Sequence, residues 1–228
     1  MAVRETVPMS RDYGFAVLPD VLSRQEIAVL SDAITRLRTE RSRAGARNML
    51  RHPDVASLAR DPRLLEIATA TLAEQARPFG ATLFDKSPRA NWLVVWHQDT
   101  ALPLEARRDV PGWGPWSVKG GVLYAHAPTA ALNRVVALRV HLDDSTTSNG
   151  PLRVLPGSHA LGVLQDDEIA RLAASVQPGE CLASRGSIVM MRPLVVHSSS
   201  KAAIPAPRRV IHIEYTGASE QEGGLVIP

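Results

Sequence analysis

The chain has 228 residues, of which 45% are hydrophobic and 21% are charged, a composition typical of a single globular domain with a substantial core. Its net charge is only +3 and its arginines are scattered, which argues against a nucleic-acid partner or a membrane surface. Cys181 is the single cysteine, so neither an intrachain disulfide nor a cysteine-based metal cluster can form.

The N-terminal residues lack the apolar run of a secretory signal, and no segment has the apolar length needed to span a bilayer. One unpaired cysteine also fits a reducing compartment. We therefore expect a soluble, cytoplasmic protein with a small-molecule substrate and no membrane partner. It would be a monomer or a homodimer.

The first 78 residues have a mixed pattern with a helical bias. A short strand is predicted over residues 13–18. Ser23 and Glu26 have the spacing of a capping box, and the apolar residues after them recur at helical intervals, which predicts a helix over residues 24–41. Asp61 before Pro62 predicts the start of another helix, because proline is favoured at the first helical position.

Short β-rich runs separated by turn residues replace this pattern after Pro78. One further helix is predicted near residues 167–176, and the predicted strands cover residues 81–84, 91–96, 121–125, 135–142, 187–191 and 208–215. Several short strands with turns between them favour a double-sheet jelly roll.

The predicted fold is therefore mainly β with flanking α-helices, a cupin-like double-stranded β-helix in a single domain. We expect a helical or mixed N-terminal region over residues 1–78 that packs on the barrel. The β-helix core would cover residues 79–217, and a C-terminal tail would cover residues 218–228.

Two histidines and one aspartate stand at the ends of apolar runs. His97 and Asp99 follow one such run and His197 follows another. Residues two apart on a strand share a face, so His97 and Asp99 are expected to point the same way. Two imidazoles and a carboxylate suit an iron(II) that keeps positions open for other ligands. The same ligands also suit zinc, so a zinc-dependent hydrolase is an open alternative.

Four stretches resemble, in order, the phytanoyl-CoA dioxygenase family, a branch of the iron(II)/2-oxoglutarate-dependent oxygenases. They are Asp85-Lys86 through Asn91-Trp92 to His97-Gln98-Asp99; His141-Leu142-Asp143-Asp144; Asn149-Gly150-Pro151 through Pro156-Gly157-Ser158-His159; and His197 through Arg208-Arg209 to Glu214-Tyr215. The third stretch is the most distinctive of the four.

The resemblance implies a double-stranded β-helix in which His97, Asp99 and His197 bind iron(II) and form the catalytic centre. It also implies that 2-oxoglutarate chelates the iron and pairs its distal carboxylate with Arg208, helped by Ser199. With dioxygen, such an enzyme releases succinate and carbon dioxide and hydroxylates a small organic molecule. Asp99 stands where related halogenases carry a small residue, so hydroxylation is favoured over halogenation.

Three assignments of 2-oxoglutarate contacts have alternatives. The family spacing selects Arg208, whereas strand alternation places Arg209 on the more apolar face of the last predicted strand. Lys86 and Asn91, just before the metal pair, are predicted to line the 2-oxoglutarate pocket. The alternative for these two residues is a solvated loop.

Residues 100–120 are predicted to form the substrate loop, because long loops beside a site often act as lids. Trp113 and Trp116 in this loop, with Tyr124 and His126 on the next strand, are the candidate substrate contacts. The two tryptophans could instead anchor the loop to the barrel, and His126 could be a core histidine.

A jelly-roll protein that binds a metal or ligand without oxygenase activity is the alternative from a different functional class. The intact set of three metal ligands together with Arg208 argues against it, since a decayed site would have lost one of them. Neither the substrate nor the pathway follows from the sequence.

Overall fold

A computed structural model describes residues 13–37, 45–87 and 90–228 of the chain. The helices are α1 (Arg24–Arg36), α2 (Pro53–Ala59), α3 (Pro62–Leu72), α4 (Thr129–Leu132) and α5 (Asp166–Ser175). The strands are β1 (Phe15–Leu18), β2 (Gly45–Ala46), β3 (Arg77–Lys86), β4 (Val94–His97), β5 (Ala101–Pro103), β6 (Trp116–Lys119), β7 (Val122–His126), β8 (Val135–His141), β9 (Leu152–Val154), β10 (Gly179–Cys181), β11 (Ile188–Met191), β12 (His197–Ser199), β13 (Arg208–Thr216), β14 (Glu220–Gln221) and β15 (Leu225–Val226).

The predicted helix starts are present with their caps. Ser23 Oγ accepts from the Glu26 amide at 3.3 Å, and the Glu26 carboxylate accepts from the Ser23 amide at 2.7 Å, which completes the capping box of α1. Asp61 caps α3 by accepting from the Arg63 amide at 2.9 Å. Helix α1 ends at Arg36, earlier than predicted, because the backbone turns to an extended conformation at Leu37; residues 38–41 of the predicted helix lie outside the described residues.

Antiparallel strands form two main sheets, and the mainly β jelly-roll prediction is confirmed. The larger sheet has the order β1-β11-β8-β13-β3-β2, and the smaller has the order β10-β9-β12-β4. A separate three-stranded sheet, β5-β7-β6, stands at the cavity described below; we call it the flap sheet. None of the described helices is long and apolar enough to cross a membrane.

The outer face of the larger sheet carries the helices α1, α2 and α3. Leu138, Ile211 and Ile213 on this face share one buried core with Ile27 of α1 and Leu64 of α3. Burying such side chains is the main stabilising contribution of this layer, at about 25 cal/mol for each Å² of apolar surface removed from water.

Described segments before residue 78 and after residue 217 pack with the main sheets. The first 78 residues supply two edge strands as well as helices, because β1 pairs with β11 and β2 pairs with β3. Residues after 217 form the hairpin β14-β15, where Leu225 and Ile227 are buried in a core with Phe79 and Leu194.

The inner face of the larger sheet positions polar groups. Arg208, His212 and Glu214 alternate on β13 with apolar residues that face the helices. The register sets Arg208 opposite Lys86 of β3, and it sets His212 opposite Arg139 of β8. The strands of this sheet are mostly apolar, but their inner face carries a row of these polar side chains.

Candidate functional site

The two histidines are brought together by the pairing of β12 with β4. His197 lies directly opposite His97 in the ladder, and their ring centroids are 4.2 Å apart. β4 ends at His97, so Asp99 lies beyond the strand, where its amide donates to the Pro193 carbonyl at 3.0 Å. The side chains nevertheless converge, since one ligand atom from each of the three residues lies within 4.8 Å of the others.

The hydrogen bonds of the two imidazoles determine which nitrogen they present. Nδ1 of His97 lies 2.9 Å from the Val95 carbonyl, and Nδ1 of His197 lies 2.9 Å from the Val195 carbonyl. A carbonyl can only accept, so each Nδ1 carries the proton and each Nε2 keeps a free lone pair. Both Nε2 atoms face Asp99, at 3.8 Å for His97 and 3.6 Å for His197.

Burial and charge favour the metal-binding protonation states. Burial is the main cause that lowers the pKa of His197 to about 4, so its imidazole is neutral at pH 7. Burial acts to raise the pKa of Asp99, but the surrounding histidines and Arg139 outweigh it and hold the pKa below its usual value. The site thus offers two imidazole nitrogens and one carboxylate, a donor set that fits a divalent iron.

The three predicted 2-oxoglutarate contacts Lys86, Ser199 and Arg208 are in contact with one another. Ser199 Oγ accepts from Lys86 Nζ at 2.9 Å and from Arg208 Nη2 at 3.2 Å, and it donates to the Gly150 carbonyl at 2.9 Å. Lys86 also donates to the Ser200 carbonyl. All three side chains are buried, and neither cation forms an ion pair with a carboxylate among the described residues.

Two like charges side by side in the interior are unfavourable unless an anion joins them. Burial and the charge of Arg208 lower the pKa of Lys86 to about 8, and burial and the charge of Arg139 lower that of Arg208 to about 10. Arg208 Nε is buried and has no hydrogen-bond partner among the described residues. These unsatisfied donors suit a carboxylate that arrives from outside.

The two neighbouring arginines point to opposite sides of the sheet. Arg209 Nε and Nη2 each donate to the Asp143 carboxylate at 2.8 Å, on the side of the helices. Arg208 instead lines the inner cavity. Asp143 is thus paired with Arg209. The second His-x-Asp pattern of the sequence, His141-Leu142-Asp143, therefore has a structural role.

The strand predicted over residues 91–96 begins only at Val94. Asn91, which precedes this strand, bonds to the backbone of Ala202. Its amide oxygen accepts from the Ala202 amide at 2.7 Å, and its amide nitrogen donates to the Ala202 carbonyl at 2.9 Å. Asn91 is not among the described residues that line the cavity, whereas Trp92 lines it and stacks with the Lys86 ammonium, 5.3 Å from the ring centroid.

A cavity of about 360 Å³ joins the candidate metal ligands to the cationic end formed by Lys86 and Arg208. The flap sheet borders this cavity with Ala101, Lys119, Tyr124 and His126, and Thr100, just before β5, lines it too. Thr100 Oγ1 lies 2.7 Å from His126 Nδ1. Tyr124 and His126, both candidate substrate contacts, therefore face the cavity.

Trp113 and Trp116 lie elsewhere. Both pack against the buried cluster that contains Leu102 and Leu132, and neither lines the cavity. Their position agrees with the alternative interpretation, in which they anchor the segment. The prediction of one continuous loop over residues 100–120 is wrong, because β5 and β6 lie within it and both pair with β7.

Several cavity residues were not predicted from the sequence, namely Arg139, His212, Glu214 and Arg47. One signal was available for Arg139, a charged residue within the apolar strand β8, whose seven residues are all buried. Arg139 Nη1 lies 3.1 Å from His212 Nδ1, and burial with this nearby guanidinium lowers the pKa of His212 to about 3.

A comparison with known families matches residues 10–210 to the model for phytanoyl-CoA dioxygenase. The chain is 22% identical to the ectoine dioxygenase of Sphingopyxis alaskensis over 259 aligned residues, 97% of this chain and 78% of that protein. It is 27% identical to the L-proline trans-4-hydroxylase of Streptomyces griseoviridis over 199 residues, 76% of this chain and 66% of that protein.

Its fold is similar to that of EctD from S. alaskensis, whose crystal structure holds 2-oxoglutarate and 5-hydroxyectoine. The TM-score is 0.70 at 20% identity, over 95% of this chain and 76% of that one. The family match spans most of the sequence, including the candidate metal ligands and the cationic end of the cavity. The chain therefore belongs to the phytanoyl-CoA dioxygenase family of iron(II)- and 2-oxoglutarate-dependent oxygenases.

Proposed function

We propose that this dioxygenase hydroxylates a small organic molecule, with iron(II) held by His97, Asp99 and His197. The observation that carries the assignment is the convergence of two free Nε2 atoms and one carboxylate within 4.8 Å. These three residues would hold iron(II) from one side and would leave the side that faces the cavity for co-substrates. The buried His197 and the half-exposed Asp99 support a metal that faces the cavity.

The cationic end of the same cavity supports the binding site for 2-oxoglutarate. Arg208 would hold the distal carboxylate through its fork of donors, with Ser199 fixing the guanidinium in place. Lys86 would add a second positive charge within reach of the dianion. When bound, iron(II), 2-oxoglutarate and dioxygen supply the oxidising chemistry, with succinate and carbon dioxide as by-products.

The protein's contribution in this proposal is position and exclusion of water. Gln98 is buried between His97 and Asp99, and its amide nitrogen donates to the Leu194 and Gly162 carbonyls, each at 2.8 Å. These bonds fix the backbone that carries His97 and Asp99. Hydroxylation is proposed over halogenation because Asp99 supplies a carboxylate where a halide would need an open position.

A zinc-dependent hydrolase and a barrel without activity remain as rival functions for the same ligands. Both leave the buried, unpaired cations Lys86 and Arg208 without a role, and such groups are costly to bury. A bound dicarboxylate offsets that cost. The cation pair thus favours the oxygenase over either rival.

Succinate formation from 2-oxoglutarate, with iron(II) and dioxygen present, tests the proposal. We expect the wild-type protein to form succinate slowly even without substrate, and Asp99→Ala to lose at least about 99% of that rate because one of three metal ligands is gone. Asp109→Ala, an exposed aspartate between β5 and β6, is the matched control and should keep the wild-type rate. Full succinate formation by Asp99→Ala would refute the ligand assignment.

A further inference from the structure

The half of the cavity away from Arg208 contains one carboxylate that the proposed iron chemistry does not use. Glu214 follows His212 on the inner face of β13 and lies opposite Gly80 of β3 and Ala137 of β8. Neither opposite residue has a polar side chain. The Glu214 carboxylate therefore projects toward the cavity that it lines.

Gly80 makes room for this carboxylate. A Cβ atom placed on Gly80 would lie 2.7 Å from Glu214 Oε2, closer than real Cβ contacts. A larger residue at position 80 would therefore displace the acid group. The lack of a side chain at Gly80 therefore leaves space for the carboxylate in its present position.

Glu214 has no partner within the described part of the chain, where it forms neither a hydrogen bond nor an ion pair. Among the described residues that line the cavity, Asp99 is the only other carboxylate. Arg47 and Lys119 also line the cavity, but both are exposed and neither is paired with Glu214. If Asp99 binds iron, Glu214 is the acid group left for another ligand.

An unpaired carboxylate in this position is unfavourable in the free protein. Burial, with the charge of Asp99, raises the pKa of Glu214 to about 8. A neutral amide in the same place would bind a hydroxyl group with a much smaller desolvation cost. The more costly carboxyl group indicates that the ligand carries a positive charge. Attraction between the two charges offsets the hydration free energy that the carboxylate loses when it is buried.

The location of Glu214 also fits contact with a substrate. A second cavity of about 200 Å³ adjoins the first and shares Arg47, Thr82, Tyr124 and Glu214 with it. A molecule that extends from the metal-binding residues into the second cavity passes Glu214 and Tyr124. The combined space is of the size that small ligands occupy.

We propose that Glu214 binds a basic nitrogen of the substrate, so that the molecule hydroxylated by this enzyme is a small amine. This inference rests on the proposed function. It adds the substrate class and names Glu214 as the residue that selects it. Tyr124, beside Glu214 in both cavities, would offer its hydroxyl group to the same end of the ligand.

Three probes of one size test the preference, namely cyclohexylamine, cyclohexanol and cyclohexanecarboxylate. Each is titrated without oxygen into protein loaded with iron(II) and 2-oxoglutarate, and the relaxation of the probe protons by the paramagnetic iron gives affinity and proximity together. We expect the amine to bind about tenfold more tightly than the alcohol, the size of a charge-assisted hydrogen bond. The carboxylate should bind more weakly than either.

Glu214→Gln should remove the advantage of the amine over the alcohol, and Glu220→Gln, an exposed acid on β14, should keep it. Gly80→Ala is the second variant, because it displaces the carboxylate without removing it, and we expect it to reduce the advantage too. No advantage of the amine in the wild type would overturn the inference, as would its persistence in folded Glu214→Gln or Gly80→Ala.

The visible absorption band of protein with iron(II) and 2-oxoglutarate separates this inference from the proposed function. A normal band together with equal binding of amine and alcohol refutes the role of Glu214 alone. If folded protein shows no band, the proposed function is refuted. The inference about Glu214, which rests on that function, is then refuted as well.

Discussion

At the scale of single residues, the candidate site depends on which ring nitrogen each histidine presents. Backbone carbonyls two residues earlier fix Nδ1 of both His97 and His197, which leaves both Nε2 atoms to face Asp99. The sequence pattern and the family resemblance grouped these three residues in one site, and their side chains do converge, with one ligand atom from each within 4.8 Å of the others. The pattern and the resemblance were not enough for Glu214, because its place in the cavity depends on the cross-strand register with Gly80.

Arg208 and Arg209 provide a matched pair for the 2-oxoglutarate site. Arg208→Ala should weaken binding of 2-oxoglutarate by at least about 100-fold, because it removes two charge-assisted hydrogen bonds in a buried place. Arg209→Ala should change it by less than about threefold, since Arg209 bonds to Asp143 on the other side of the sheet. Calorimetric titration of the iron-loaded protein without oxygen gives both constants. A larger loss in Arg209→Ala than in Arg208→Ala would contradict the assignment.

At the scale of elements, the two faces of β13 have different roles. The inner face contributes side chains to the candidate site, and the outer face contributes to the stability of the fold. The inner face carries Arg208 and Glu214, and the outer face carries Arg209 and Tyr215. The Tyr215 hydroxyl donates to the Ala59 carbonyl at 3.0 Å, which ties the strand to α2. A register shift between Glu214 and Tyr215 lies beside the cavity, where bulges commonly redirect side chains.

The ion pair on the outer face gives a stability prediction with a defined pH dependence. Burial acts to raise the pKa of Asp143, but hydrogen bonds from Arg209 outweigh it and hold the pKa below the usual 3.8. A depressed carboxylate pKa stabilises the fold above the unfolded pKa, and that contribution is lost as pH falls through the folded value. Arg209→Ala should therefore lower the free energy of unfolding by about 2 kcal/mol at neutral pH.

Urea unfolding measures this loss, and the difference between wild type and Arg209→Ala should shrink as the pH falls below about 4. Arg36→Ala, at the exposed end of α1, is the control and should cost less than about 0.5 kcal/mol. An unchanged difference in strongly acidic solution would show that the charge of Asp143 contributes nothing.

The strands that could not be predicted from the sequence are short. The strands that the sequence pattern missed have two to four residues, too few for an alternation of apolar and polar positions to stand out. The flap sheet is the clearest case: β6 has three exposed residues of four, so its sequence has no buried face. The longer strands β8 and β13 were predicted to within one residue at each end, whereas the ten-residue β3 was predicted only over residues 81–84.

At the scale of the whole molecule, one sheet serves two purposes. Its outer face binds the helices through an apolar core, and its inner face supplies the polar wall of the cavity. Apolar runs and turns were enough to predict the jelly roll, because any strand so apolar must be covered on both sides. Strand order and register arise from contacts far apart in the chain, and local patterns do not contain them.

The central claim is that one cavity binds iron(II) through His97, Asp99 and His197 and 2-oxoglutarate through Arg208. The most direct test is the visible spectrum of the protein mixed with iron(II) and 2-oxoglutarate without oxygen. We predict a charge-transfer band that requires both ligands, disappears in His97→Ala, weakens in Arg208→Ala and remains in Arg209→Ala. A folded wild-type protein without the band, or a band of full strength in His97→Ala, would contradict the claim.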